Sequence, residues 1–266
     1  MIYYRPAQLT ALLQAHEFHA SFQKGWENKT ETHMKKLLLA SATLAITSAA
    51  PLAAQAQDYS ISTSLDYVTE YVFRGVSLED EAIQPGVEVA VGDFTAGAWA
   101  SAGFGSDSEA DTDELDLYAS YGFGLTDLIS GSVGVTGYIY PDGEDTLEFS
   151  LGGSLDTILA PSLTAYYDVT LENFTLEGSV GHSFAFPGNE ATSLDLGLTA
   201  GLVDVDEGEN YEYATASASL GYAFAENFSG YVGANYTLNS EDFLDFDGPT
   251  ADDNLFWFGV GVASGF

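Results

Sequence analysis

The sequence contains no cysteine and very little positive charge. Six lysine and arginine residues stand against 40 aspartate and glutamate residues among 266, which gives a formal net charge of −34 at pH 7. The lack of cysteine excludes a disulfide framework and thiol chemistry. The lack of basic residues excludes nucleic acid as a partner, because binding to phosphates needs a basic surface.

Long apolar runs are also missing, and the one short run resembles an export signal. Lys35 and Lys36 precede ten mostly apolar residues, 37–46, which are too few and too rich in Ala, Ser and Thr for a spanning helix. Ala54-Gln55-Ala56 has the small-x-small pattern of a cleavage site. We therefore predict a signal peptide at residues 34–56; the alternative is a buried amphipathic helix.

The predicted signal peptide divides the chain into three segments. Residues 1–33 are polar and without signal character, so we expect Met34 to be the initiator and 1–33 to come from an upstream start; an unusually long signal n-region is the alternative. Residues 57–266 form one compositional block and are predicted to be a single domain. This mature part has 37 carboxylates and one basic residue, Arg74, so its formal charge is −36.

The mature part alternates between apolar and polar residues, as a β-strand with two unlike faces requires. The first run shows the rule. One face carries Tyr59, Ile61, Leu65, Tyr67, Tyr71 and Phe73, and the other carries Ser60, Ser62, Ser64, Asp66, Glu70 and Arg74. Turn residues interrupt the pattern every ten to fifteen positions, and twelve such runs can be counted.

The connections between these runs alternate in length, which favours an up-and-down arrangement. Acidic stretches at 106–114, 204–210 and 240–254 alternate with short joints. The polar face is often only Gly, Ala or Ser, whereas a water-facing surface usually carries long charged side chains. We therefore predict an all-β, antiparallel up-and-down transmembrane β-barrel of about twelve strands in the bacterial outer membrane; a secreted β-sandwich is the alternative.

The C-terminal residues support this prediction. Phe266 is preceded by alternating apolar residues at Val262, Val260 and Phe258. This pattern resembles the closing strand of bacterial outer-membrane barrels, which the assembly machinery recognises. Ser264 departs from it, because an apolar or aromatic residue is more common there.

One motif suggests a family. Tyr71-Val72-Phe73-Arg74-Gly75-Val76-Ser77, followed by Ala82-Ile83-Gln84-Pro85-Gly86, resembles the opening of the TorF-type family of predicted porins. The shared positions are Tyr71, Phe73, Arg74, Gly75 and Ser77. The resemblance implies an exported barrel without defining a transported solute.

Candidate pore-lining residues are the charged residues of the polar face. They are Asp66, Glu70, Arg74, Glu88, Asp116, Glu148, Asp168 and Asp195. Arg74 either neutralises lumenal acids so that the barrel can close, or acts as a gate or selectivity element.

Catalysis and metal binding find little support in the sequence. His182, the single histidine of the mature part, shares its face with Phe184, so it is expected to be an interfacial side chain rather than a ligand or base. The acidic loops at 204–209 and 245–248 lack the spacing of a calcium loop and are expected to be solvated, with loosely bound calcium or magnesium as an alternative. We predict no enzyme, no cofactor and no firm metal site.

The function expected from these patterns is a porin-like channel for small hydrophilic solutes, with a preference for cationic ones. The alternative is a non-conducting structural or adhesive barrel with acidic cation-binding loops. The expected partners are outer-membrane lipid and lipopolysaccharide, the Sec translocon, the barrel-assembly machinery and small solutes.

Overall fold

The computed structural model describes residues 59–104, 113–141, 143–206, 208, 210–240 and 254–266. The predicted signal peptide and residues 1–33 lie outside the described residues, as do most of the acidic loops 106–114 and 240–254. The described part is all-β, and none of its residues belongs to a helix that is long and apolar enough to cross a membrane.

The described residues contain fourteen strands. They are β1 (Tyr59–Val68), β2 (Tyr71–Phe73), β3 (Val76–Glu79), β4 (Ala82–Val91), β5 (Phe94–Gly103), β6 (Glu114–Gly124), β7 (Ile129–Ile139), β8 (Thr146–Leu155), β9 (Ser162–Asp168), β10 (Phe174–Phe186), β11 (Asn189–Asp204), β12 (Tyr211–Ala225), β13 (Phe228–Ser240) and β14 (Asn254–Gly265).

Twelve of these strands close into an antiparallel barrel, which confirms the predicted fold and strand number. β1 pairs with β4 and β14, each later strand pairs with its neighbour in sequence, and β2 with β3 forms a separate two-stranded sheet. Closure removes the free edges that a sheet would otherwise expose. The start of β1 and the residue after β14 meet at one rim, where Ile61 and Phe266 exchange backbone hydrogen bonds of 2.9 Å. We call this rim the termini end and the opposite rim the long-loop end.

The two faces of the barrel follow the alternation in the sequence. On β14, Phe256, Val260 and Val262 point outward and are about half exposed, whereas Gly259 and Gly261 point inward and are buried. The outer surface is therefore apolar and the inner surface polar or small, the reverse of a soluble β-sandwich.

The first strand is shorter than predicted. β1 ends at Val68, the chain bends at Thr69 and Glu70, and residues 71–79 form the β2–β3 hairpin. Tyr71 and Phe73, predicted on the outer apolar face, are instead packed inside, and Tyr71 is only 7% exposed. The alternation misleads here because the hairpin continues the same period-two pattern after the bend.

Ser264 keeps its outward direction, and its hydroxyl group has a partner. Its Oγ lies 2.9 Å from Oγ1 of Thr63 across the β1–β14 seam. Two hydroxyl groups on an apolar surface satisfy each other in this way. A polar residue is therefore accommodated where the closing strand usually carries an apolar one.

Candidate functional site: a hairpin inside the barrel

The β2–β3 hairpin turns at Arg74 and Gly75. Phe73 pairs with Val76, and the two residues between them have φ angles of 47° and 85°. Two consecutive positive φ angles are those of a type I′ turn, the tight turn that matches the twist of paired strands. Glycine adopts this conformation readily, whereas arginine rarely does. Arg74 is therefore held in an uncommon backbone conformation at the tip of the hairpin.

Contacts on all sides show that the hairpin lies inside the barrel. Its side chains or backbone reach Trp99 on β5, Glu114 on β6, Tyr138 on β7, Glu148 on β8, Tyr166 on β9 and Asn239 on β13. Strands on opposite sides of a ring can contact one segment only from within. The hairpin enters from the long-loop end, since it connects β1 to β4 there.

Arg74 binds Glu148 through two parallel hydrogen bonds. Its Nη1 donates to Oε2 at 2.6 Å and its Nη2 donates to Oε1 at 2.8 Å. Tyr138 donates a third hydrogen bond to Oε1 of the same carboxylate at 3.0 Å. Such two-bond pairing between a guanidinium and a carboxylate is the strongest form of this ion pair and fixes its geometry.

Two aromatic rings flank the guanidinium. Cζ of Arg74 lies 4.4 Å from the ring centre of Tyr166 and 4.8 Å from that of Phe73, within the range of cation–π attraction. The side chains of Arg74 and Glu148 are only 14% and 6% exposed. A guanidinium group is protonated in practically every protein environment, so the arginine carries its charge within the lumen.

Tyr71 anchors the base of the hairpin to another carboxylate. Its hydroxyl group donates to Glu114 Oε2 at 2.8 Å, and Tyr140 donates to Oε1 of the same residue at 3.1 Å. The ring of Tyr71 packs edge-on against Trp99 at 5.3 Å between centroids. A tyrosine hydroxyl group is protonated at neutral pH, so it acts as the donor in the bond to Glu114.

Tyrosine–carboxylate pairs recur along the inner wall. Tyr213 donates to Glu177, and Tyr118 donates to Glu88 at 3.0 Å. A hydroxyl donor stabilises a carboxylate without adding positive charge. The lumen of the described residues can thus hold several acids while Arg74 provides a single countercharge.

The carboxylates predicted to line the pore lie on the inner face, with one exception. Asp66, Glu148 and Asp168 are buried, while Glu88, Asp116 and Asp195 are half-buried on inward positions of their strands. Glu70 is the exception, because it lies in the bend after β1 rather than on a strand. The placement of Glu70 on the polar face of the first strand was therefore wrong.

Two of these acids have local structural partners. Asp168 Oδ1 accepts the backbone N–H groups of Thr170 and Leu171, at 2.8 and 2.9 Å, and so stabilises the β9–β10 turn. Asp195 accepts a 2.8 Å hydrogen bond from the hydroxyl group of Ser193. Among the described residues, Glu148 is the one carboxylate that joins Arg74 in an ion pair.

Several residues around the hairpin were not predicted. Glu114, Glu177, Tyr138, Tyr166 and Tyr213 all contact it or pair near it. Glu114 is two residues before Asp116 and therefore on the same face of the strand, so the alternation could have identified it. The face of β10, and with it Glu177, was ambiguous in the sequence.

His182 and the acidic loops were the remaining candidates for catalysis or metal binding. His182 packs edge-on against Phe184 at 4.4 Å on the outward face of β10, as its parity indicated. No group of three or more His, Asp or Glu side chains in the described ranges is arranged to hold a metal ion. Asp245 and Asp247 lie outside those ranges.

Small side chains line the barrel below the hairpin, toward the termini end. The inward positions there include Ser130, Ser132, Gly134, Ser150, Gly152, Ser154, Ser179, Gly181, Ser217, Ser219 and Gly221. Large inward side chains such as Trp99 and Tyr138, by contrast, pack against the hairpin, where Val68, Tyr71, Ala82 and Trp99 form an apolar cluster. The hairpin and these side chains therefore occupy part of the long-loop half of the lumen.

The closed twelve-stranded barrel with an apolar exterior resembles the fold of solved outer-membrane porins. The KdgM porin matches with a TM-score of 0.53 and 13% identity, covering 78% of this chain and 99% of that one. A second structure, the KdgM porin in complex with disordered oligogalacturonate, matches with a TM-score of 0.51 and 13% identity, covering 78% of this chain and 99% of that one. The NanC porin has a TM-score of 0.49 and 12% identity, covering 77% of this chain and 98% of that one. At these identities the likeness concerns the fold.

The family is established by sequence. Residues 52–237 match the family model described as "Bacterial protein of unknown function (Gcw_chp)". The chain belongs to this family. A comparison with curated protein sequences found no match.

Proposed function

We propose that this protein is an outer-membrane channel for small hydrophilic solutes, with a preference for cations, and that the β2–β3 hairpin forms its constriction. The observation that carries the proposal is the charge of the inner wall. Arg74 is neutralised by Glu148, whereas Glu88, Glu114 and Glu177 accept hydrogen bonds from tyrosine hydroxyl groups, which bring no positive charge. An acidic lumen attracts cations and repels anions.

The location belongs to the same proposal. The apolar outer face, the closed sheet and the porin-like architecture support insertion into the outer membrane, with lipid and lipopolysaccharide around the barrel. Export through the Sec translocon and insertion by the barrel-assembly machinery follow from the predicted signal peptide and from Phe266. The long-loop end would then face outside and the termini end the periplasm.

The proposed solute differs from that of one fold relative. The KdgM porin has been described in complex with oligogalacturonate, a polyanion. An acidic lumen would repel such a molecule, so we propose small cations and neutral solutes for this chain. The resemblance to the TorF-type porins supports a channel without indicating its cargo. An enzymatic role has no support in the described geometry, and we propose none.

Ion substitution in planar bilayers tests this function. The purified protein should conduct, and a salt gradient should give a reversal potential of the sign expected for cations. The preference should be strongest at low salt, since added salt screens the charges of the inner wall and shortens the screening length to about 8–10 Å at moderate salt. An anion-selective reversal potential would contradict the selectivity.

A non-conducting structural or adhesive barrel is the second candidate. It is favoured by the apolar cluster of Val68, Tyr71, Ala82 and Trp99, which occupies part of the lumen. The same bilayer measurement separates the two, because protein that inserts and gives no conductance steps would be a closed barrel.

A further inference from the structure

The barrel wall forms a compact site around the tip of the hairpin. Three adjacent strands supply it: Tyr138 from β7, Glu148 from β8 and Tyr166 from β9. Glu148 offers both carboxylate oxygens, the hydroxyl group of Tyr138 holds one of them, and the ring of Tyr166 covers one side. A buried carboxylate beside an aromatic face is complementary to a planar cation.

The guanidinium group of Arg74 fills this site, and the hairpin that carries it is not part of the hydrogen-bonded barrel sheet. β2 and β3 form their own sheet, separate from the barrel ladder. Side-chain bonds hold the hairpin, namely Arg74 to Glu148, Tyr71 to Glu114, and Asn239 Nδ2 to the carbonyl of Gly75 at 3.2 Å. Arg74 also has the uncommon φ angle of 47°. The guanidinium therefore resembles a ligand tethered to the wall rather than a part of it.

We propose that Glu148, Tyr138 and Tyr166 form a guanidinium-binding site, which Arg74 occupies as a built-in competitor. Solutes that carry a guanidinium group bind the same site when they displace the hairpin tip. The inference deepens the proposed function by naming a solute class, and its transport aspect rests on that function.

The chemistry of the site discriminates among cations. A guanidinium presents parallel N–H groups in a plane, so it can satisfy both oxygens of Glu148 and stack against Tyr166 together. An ammonium group is a compact point charge that cannot do both. Competition also explains why the intact protein should bind such solutes weakly, because a tethered group acts at a high effective concentration.

The test removes the competitor without disturbing its turn. In Arg74→Gly the tip becomes Gly-Gly, a sequence that favours the type I′ turn, so the barrel and hairpin should form. The unfolding temperature of the purified variant in detergent is measured with methylguanidinium or methylammonium chloride at millimolar concentration. A ligand that binds only the folded state raises this temperature.

Three variants distinguish the site from general charge effects. Methylguanidinium should raise the unfolding temperature of Arg74→Gly by a few degrees, and methylammonium should raise it less. Arg74→Gly with Glu148→Gln should lose the response. Arg74→Gly with Asp127→Asn should keep it, because this matched loss of one carboxylate lies in an exposed turn between β6 and β7.

The outcomes are separable. No rise in Arg74→Gly, an equal rise with methylammonium, or an equal rise in the Glu148→Gln double variant would each overturn the proposal. The measurement does not depend on conduction, so a barrel that binds methylguanidinium but gives no current would refute the channel and leave the binding site intact.

Discussion

Arg74 and Glu148 are 74 positions apart in the sequence, yet they form a two-bond ion pair inside the barrel. The pair joins the tip of a loop-borne hairpin to the wall strand β8. Both side chains are largely buried, so the loss of one partner leaves the other as a buried charge without a countercharge. The energetics of this pair can therefore be measured by substitution.

Arg74→Ala should destabilise the barrel and raise cation conductance. An unpaired buried carboxylate costs about 3–5 kcal/mol, and loss of the tip contact widens the constriction. Arg74→Lys should restore conductance more fully than stability, because lysine keeps the charge but not the planar fork. Single-channel conductance and unfolding temperature of both variants provide the measurement. If Arg74→Ala changed neither, the arginine would be a solvated surface residue.

Tyr71→Phe should destabilise the barrel by about 1–3 kcal/mol, because Glu114 loses one of its hydrogen-bond donors while remaining buried. The free energy of unfolding in urea measures the effect. Tyr121→Phe is the matched control, since Tyr121 lies on the outer face, is 48% exposed and stacks with Phe123. A loss no larger at Tyr71 than at Tyr121 would show that the hydrogen bond to Glu114 contributes nothing.

Gly75→Ala should displace the hairpin and increase conductance. A Cβ atom at Gly75 would lie 2.5 Å from Cβ of Tyr213, in addition to the strain of a φ angle of +85°. Gly188→Ala is the control for backbone strain, because Gly188 has a φ of +80° and nothing within 4 Å of the added atom. The control should lose only about 1–2 kcal/mol and keep the wild-type conductance. Equal conductance in both variants would argue against a close fit at the tip.

N-terminal sequencing of the exported protein should find Gln57, or a residue within one or two positions of it, at the start. The reason is the Ala54-Gln55-Ala56 pattern after the apolar run. The first described strand begins shortly afterwards, at Tyr59. Retention of residues 1–33 on the mature protein would contradict both the cleavage site and the predicted initiator.

The barrel could be predicted from sequence because each wall strand has unlike surroundings on its two faces. Runs such as Phe258, Val260 and Val262 alternate with Gly259 and Gly261 because one side faces an apolar phase and the other a crowded lumen. Strand number and pairing order follow from such local patterns once the sheet closes. The same rule placed Asp66, Asp116 and Glu148 on the inner face.

The hairpin could not be predicted in the same way. The bend at Thr69 and Glu70 contains neither glycine nor proline, and Tyr71 and Phe73 continue the parity of the strand before it. Pro85, which suggests a break, lies instead within β4, where Ile83 and Gly86 on either side of it pair with β5. Contacts such as Arg74 with Glu148 depend on how the closed wall surrounds the loop, and periodicity carries no information about them.

The separate sheet of β2 and β3 has a consequence for how such barrels diversify. Because residues 71–79 do not take part in the pairing of the wall, substitutions there can change the interior of the barrel while the register of all twelve wall strands stays the same. Under the proposed function, the nine residues of the hairpin and the carboxylate that receives its tip would adjust the width of the passage, while the acidic side chains of the wall set its charge.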